Sequence, residues 1–393
     1  MSKIHPQLSK HNRAQTASPI ARALAGLATL AVAMGIGRFA FTPVMPMMLQ
    51  DAGLNIMDGA WLASANYFGY LIGALSAMAV GMRPERAIRG GLLAICLTTL
   101  AMRFSFPLTV WLLLRLLAGV ASAWVLVSVS AWCLETLSKY QRPFLNSLVF
   151  AGVGCGIAVA GLLCLALTQN NAGSANSWTA LGLMAGITTI LIWRFFPTDA
   201  PVANREEEIS QIFKWNTDTT RLISCYGVFG FGYIIPATYL PVMAKNILFD
   251  PSLFGWSWPI FGLAGGVSTL LVAFLCRHMS NRRLWMVCQW IMAVGIMLPI
   301  FSPQMLTIFA ATLCVGGTFM VITLAALQEA KQVAGDNARP LIAAMTSAFA
   351  GGQIIGPLTV NAASAGNASF SSGLAIASAL LLVSTLLLRS TPT

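Results

Sequence analysis

The sequence predicts an all-α polytopic membrane protein with twelve transmembrane helices in two pseudo-symmetric six-helix halves. Three observations predict it: the composition, the placement of basic residues, and an internal repeat. The chain is 57% hydrophobic and 9% charged, with a mean hydropathy of +0.76, far from the roughly 25% charge of a soluble domain. A span needs about 20 apolar residues. Twelve apolar runs of about that length fill almost all of the 393 residues.

The runs follow one another with short gaps. The first two, near 19 to 49 and 59 to 80, are joined by a gap with Asp51 and Asp58 and no cation. The second gap carries Arg83, Arg86 and Arg89, and the runs 88 to 105 and 107 to 133 come next, with Arg103 beside the gap between them. Lys139 and Arg142 precede the runs 143 to 168 and 177 to 195, which Arg194 closes. Arg205, Lys214 and Arg221 precede the runs 220 to 247 and 253 to 275, with Lys245 beside their gap. Arg277, Arg282 and Arg283 introduce 283 to 301 and 303 to 328; Lys331 and Arg339 introduce 340 to 364 and 370 to 388, and Arg389 ends the last run. With Lys3, Lys10, Arg13 and Arg22 at the start, every second gap and both termini are basic; only Arg103 and Lys245 break the alternation. Loops rich in Lys and Arg stay cytoplasmic, so both termini are expected inside a bacterial inner membrane.

Other classes fit less well. The net charge of +11 is spread over many short gaps instead of one stripe, which excludes nucleic acid as the partner and points to membrane lipids. The eight cysteines occur singly with no C-x-x-C, and three histidines are scattered, so neither a disulfide framework nor a metal site is expected, and no cofactor. The basic, Ala-rich N-terminus imitates a signal peptide, but the same run is matched later in the chain and is read as part of the fold. The glycine clusters 152 to 156 and 351 to 356 lack the strand, spacing and lysine of nucleotide loops and read as close-packing surfaces.

The repeat divides the chain. Gly35, Gly37, Pro46 and Trp61 recur as Gly230, Gly232, Pro241 and Trp256, each displaced by 195 positions; Glu135 and Arg142 recur as Glu329 and Arg339 at 194 and 197. The expected organisation is an N-terminal segment 1–18, a six-helix half 19–196, a cytoplasmic linker 197–219, a second half 220–388 and a tail 389–393. The linker is too polar for lipid and suggests a short surface helix near 205 to 213.

Two six-helix halves, a cytoplasmic linker and both termini inside resemble the major facilitator superfamily. The string Met34-Gly35-Ile36-Gly37-Arg38-Phe39-Ala40-Phe41-Thr42-Pro43 looks like the YbfB/YjiJ-type bacterial branch of that superfamily. The resemblance implies a transporter, not an enzyme, working by alternating access on a small-molecule substrate. Glu135-x6-Arg142 is similar to an element that sugar-porter members carry after the fourth span. It implies gating residues in a cytoplasmic ionic lock: Glu135, Arg142, Arg83 and Arg86 in the first half, Glu329, Arg339 and Arg282 in the second. Exposed pairs of this kind contribute only about 0 to 1 kcal/mol, so solvated topology charges are the competing reading. Arg115-x3-Gly119-x3-Ala123 resembles the superfamily's fourth-span motif, and the resemblance places Arg38 and Arg115 in a central cavity.

Physical reasoning on Arg38 agrees. Sixteen residues beyond Arg22, it lies roughly 24 Å along a helix, deep in the hydrocarbon layer, where a lipid-facing cation costs several kcal/mol. Its structural alternative is satisfaction by backbone carbonyls of a helix loosened by Gly35, Gly37 and Pro43. All twelve acidic residues lie in loops or at span ends, so two buried cations favour an anionic or amphipathic organic solute. A coupling proton, where one is used, enters through Asp51, Asp58 or the solute. Further substrate-site candidates are Asn66, Tyr67, Tyr70, Tyr226, Tyr233 and Gln353, with ordinary interhelical packing as the alternative for each; Tyr233 is the counterpart of Arg38 under the repeat. Trp61, Trp256 and Trp258 read as interfacial anchors. A proton-driven multidrug exporter and a non-transporting receptor or lipid-handling protein are the alternative functions, and a monomer is expected.

Overall fold

The computed structural model describes residues 18–79, 83–138, 140, 143–197, 216–247, 255–276, 278–302, 304–335, 338–364 and 370–389. They form twelve long helices. We number them α1 (Pro19–Asp51), α2 (Ile56–Ala79), α3 (Pro84–Ala101), α4 (Leu108–Ser138), α5 (Pro143–Gln169) and α6 (Ser174–Ile192) in the first half. The second half holds α7 (Thr217–Ile247), α8 (Ser257–Leu275), α9 (Asn281–Phe301), α10 (Met305–Ala334), α11 (Ala338–Ser364) and α12 (Phe370–Arg389). Arg142, Arg277 and the expected linker helix lie outside the described residues.

Among the described residues, eight of the twelve helices contain a stretch long and apolar enough to cross a membrane on length and composition alone. Glu85, Arg86 and Arg89 sit in the first turns of α3, while α2 and α11 pack against each other across the junction of the halves. Helices α4 and α10 run past their apolar stretches to Ser138 and Ala334, because nothing in Glu135-Thr136-Leu137 or Glu329-Ala330-Lys331 breaks a helix once it has left the hydrocarbon.

Within each half the same packing recurs. Helix α1 lies against α5, and α7 against α11; α2 lies against α4, and α8 against α10. The repeated glycines mark these contacts. A Cβ on Gly35 would stand 2.5 Å from the backbone of Gly156 in α5, and one on Gly230 would stand 2.8 Å from the Phe349 Cα in α11. Neither position accepts a side chain, so two backbones approach closely where lipid-embedded helices need small residues. The halves meet along two seams, α5 with α8 and α2 with α11. Gly154, Gly262 and Gly266 form the first seam, where a Cβ on Gly154 would lie 2.6 Å from the Gly262 carbonyl oxygen.

Helix α1 is not uniform. Pro19–Leu30 and Phe41–Asp51 are α-helical, but the nine residues Ala31–Phe39 between them form a π-helix. Such wider turns, with i→i+5 bonds, are rare and frequently mark functional sites. That segment contains Gly35, Gly37 and Arg38, all buried.

Candidate functional site

The two intramembrane arginines meet at the π-helical turn and are used differently. Arg115, from α4, is 3% exposed; its Nη1 donates to the Gly37 carbonyl at 3.5 Å and its Nη2 to the Arg38 carbonyl at 3.3 Å. Its guanidinium lies 4.6 Å from the Phe41 ring centre. Asn66 of α2 joins the same cradle, donating to the Gly37 carbonyl at 3.3 Å and the Arg115 carbonyl at 3.0 Å. Ser122 of α4 donates to the Ala33 carbonyl at 2.8 Å. Carbonyls of the π-turn thus accept from three side chains of α2 and α4. The reading in which loosened carbonyls satisfy Arg38 is corrected: they satisfy Arg115, and Arg38 contributes an acceptor to its neighbour.

Arg38 is 2% exposed and points the other way, to the junction of the halves. Its Nη2 donates to Gln353 Oε1 on α11, across the interface. Its guanidinium carbon lies 3.8 Å from the Tyr70 ring centre and 5.5 Å from that of Tyr67, both on α2. Nε and Nη1 have no hydrogen-bond partner among the described residues. The same holds for three buried polar groups nearby in the second half: Gln353 Nε2, Trp258 Nε1 and Tyr233 Oη. All can donate, and in this group only the phenol can also accept; Asn66 Oδ1, in the cradle of Arg115, is a further buried acceptor with no partner among the described residues.

Aromatic rings connect these groups. Phe39 of α1 lies 6.4 Å from Trp258 of α8, a second link between the halves. Trp258 stacks on Phe261 at 5.4 Å, Phe261 on Phe319 at 5.1 Å, and Phe319 on Tyr233 at 5.3 Å. Phe349, one turn before Gln353, lies 6.2 Å from Tyr233. Trp258 is therefore no interfacial anchor: it is 8% exposed, whereas Trp256 is 46% exposed and Trp61 59%. Two residues along a helix turn the side chain by roughly 200°, so one tryptophan of the pair meets lipid and the other the interior. That spacing was the available signal. Tyr226 also departs from its expected place, since its hydroxyl bonds Thr323 and its ring meets Trp285 edge-on at 6.0 Å, within the packing of the second half.

The charges at the basic end of the bundle divide similarly. Arg282 of α9 holds Asp218 of α7 with two bonds, 3.0 and 2.6 Å, and Glu329 of α10 through Nε at 2.5 Å. Asp218 was missed by sequence reasoning, because it lies 64 residues from Arg282 beside the linker. The three helices belong to one half. In the first half, the Glu135 side chain and Arg142 lie outside the described residues; Arg83 precedes α3 and Arg86 is exposed on its first turn. In the second half, Arg339 is half-buried at the start of α11. Arg89 donates to the Trp193 carbonyl at 3.0 Å and covers that ring at 4.6 Å, bracing α3 against α6.

The two acids near the opposite end are helix caps. Asp51 accepts from the Ser174 backbone at 2.5 Å and its hydroxyl at 2.7 Å, at the start of α6. Asp58 and Asn55 cap one another at the start of α2, at 2.9 and 3.0 Å. No group of three metal-ligating side chains occurs among the described residues.

Twelve helices in two repeated halves, with interior arginines and a polar, aromatic junction between them, define a multi-pass membrane protein of the major facilitator fold. The chain belongs to the family described as uncharacterised MFS-type transporter YbfB, whose model matches residues 30–389. It is also similar to the gallate transporter of Pseudomonas putida, at 27% identity over 179 residues, 43% of this chain. The match spans 38% of that relative's own length. The human organic anion transporter MFSD10 (TETRAN) has the same fold, with a TM-score of 0.75 and 14% identity over 95% of this chain and 100% of that one.

Proposed function

We propose that the chain is a secondary transporter of a small organic anion, which binds with its carboxylate on Arg38 and crosses by alternating exposure of the site between the two halves. The observation that carries this reading is the surplus of buried donors at the junction: Nε and Nη1 of Arg38, Gln353 Nε2, Trp258 Nε1 and the Tyr233 hydroxyl. An ionised carboxylate is acceptor-only and matches the planar fork of a guanidinium. A buried cation without a countercharge costs several kcal/mol, and each charge-assisted bond to a solute recovers about 1.5 to 3 kcal/mol. A lipophilic cation meets the opposite balance, which weighs against the multidrug reading.

The rings of Phe39, Tyr70, Trp258 and Tyr233 around these donors favour a flat, aromatic acid over an aliphatic one. The gallate and organic anion named for the relatives are acids of that charge. A monomeric unit in the inner membrane, with both termini cytoplasmic as the basic gaps favour, completes the reading. We assign no residue to a coupling proton, since Asp51 and Asp58 serve as caps.

Thermal stability of the purified protein tests the reading, with gallate, benzoate, tetraphenylphosphonium and a neutral sugar as ligands. A ligand at a hundredfold excess over Kd adds about 2.7 kcal/mol. Stabilisation by the two acids, abolished in Arg38→Gln, is expected. Stabilisation by the cation that survives Arg38→Gln would refute the anion site.

A further inference from the structure

We infer that Gln353 is the residue that lets the site close without its anion, and that it thereby sets the balance between net transport and exchange. This rests on the function proposed above. Arg38 has Gln353 as its one side-chain hydrogen-bond acceptor among the described residues, and the two residues belong to different halves, α1 and α11. The rings against the guanidinium, Tyr67 and Tyr70, stand on α2 of the same half as Arg38. When the halves part, those ring contacts travel with Arg38, and the bond to Gln353 is the one that breaks.

The reclosing step is governed by charge. No acidic residue lies within the apolar core of any span, and Arg38 is 2% and Gln353 0% exposed. Closing the halves with no solute therefore buries a cation whose one cross-interface acceptor among the described residues is a neutral amide oxygen. A carboxylate is the stronger acceptor, so the amide does not keep a solute off, and it bonds one nitrogen of three. In the absence of solute it still answers Nη2. A carrier that closes both loaded and unloaded carries out net transport; one that closes only when loaded exchanges one anion for another. Gln353 acts through Arg38 and is a positioning residue in this respect. Its Nε2 has no partner among the described residues, consistent with an orientation fixed by the oxygen facing Arg38.

The test uses the full chain in proteoliposomes and labelled gallate, with the lumen either free of gallate or loaded with unlabelled gallate. Wild type is expected to take up label in both arrangements. In Gln353→Leu the ratio of net uptake to exchange falls at least about tenfold, the loss expected for one charge-assisted hydrogen bond; Gln353→Met replaces it should the leucine variant fail to purify. Gln353→Glu supplies a permanent carboxylate to Arg38, so gallate no longer raises the thermal midpoint and both arrangements fail in a folded protein. A wild-type ratio in Gln353→Leu, or wild type confined to exchange, would overturn the inference and leave the anion reading standing. Wild type that moves gallate in neither arrangement overturns the anion reading and this inference with it.

Discussion

Replacing each intramembrane arginine with methionine should separate a structural from a functional cation. Methionine has a similar unbranched stem and no charge. In Arg115→Met the carbonyls of Gly37 and Arg38 lose the donors now at 3.5 and 3.3 Å. An unanswered buried acceptor costs about 1 to 3 kcal/mol, and the lost cation contact with Phe41 adds about 0.5 to 2 kcal/mol. Relief from burying the charge offsets part of this, and the π-turn can partly close, leaving a net loss of roughly 2 to 4 kcal/mol. In Arg38→Met one charge-assisted bond and one close ring contact, at 3.8 Å from Tyr70, are lost, together about 2 to 5 kcal/mol. The uncompensated charge removed at the same time is worth several kcal/mol in the other direction. The two nearly cancel, so Arg38→Met should unfold within about 1 kcal/mol of wild type. Thermal unfolding of both variants in one detergent is the assay, with gallate binding measured alongside. A fragile Arg38→Met together with a wild-type-like Arg115→Met would refute the division of roles.

The other expectations concern the interfaces. Glu329→Gln and Asp218→Asn each remove one carboxylate from Arg282, whose side chain is 16% exposed; each should destabilise by about 1 to 3 kcal/mol, less in high salt, and the double variant should fall short of the sum. Unfolding in low and high salt checks this, and strict additivity would contradict the three-residue pairing. Gly154→Val places branched carbon against the Gly262 backbone and should abolish gallate uptake into proteoliposomes while each half stays folded; normal uptake would show that the α5–α8 seam is not a tight one. Asp51→Asn keeps an oxygen for Ser174 and should lower stability by about 0.5 to 1 kcal/mol with no change in the pH dependence of uptake. An altered pH profile would reinstate Asp51 as a proton site.

Helix order was legible in the sequence because hydrocarbon thickness and basic loops constrain every span independently; the ends were less so, since α3 starts ahead of its apolar run and α4 and α10 continue past theirs. The depth of Arg38 followed from its distance to Arg22. What could not be read is which way each buried side chain turns. Arg38 and Arg115 look alike in sequence, and their different uses depend on the π-turn at Ala31–Phe39, a feature that glycine content suggests but does not specify. Gln353 is 315 residues from Arg38, and its partner depends on the seam between α2 and α11. Trp258 was read as an anchor from its proximity to a span end, while the face of its helix decides what it meets, and Asp218 meets Arg282 across 64 residues of chain.

The π-turn of α1 also bears on how this chain can change over time. A turn wider by one residue keeps the two α-helical arms of α1 in a rotational register that a regular helix of the same length would not have. Rewinding this stretch as a regular helix at unchanged length would swing everything beyond it by roughly 100° and push it outward by about 1.5 Å, and the Arg38 guanidinium would leave the junction. Removing one residue from the turn at the same time cancels that displacement, so a single deletion here is absorbed by the rewinding while both arms keep their packing. This one stretch can therefore lose a residue without repacking the rest of the bundle residue by residue.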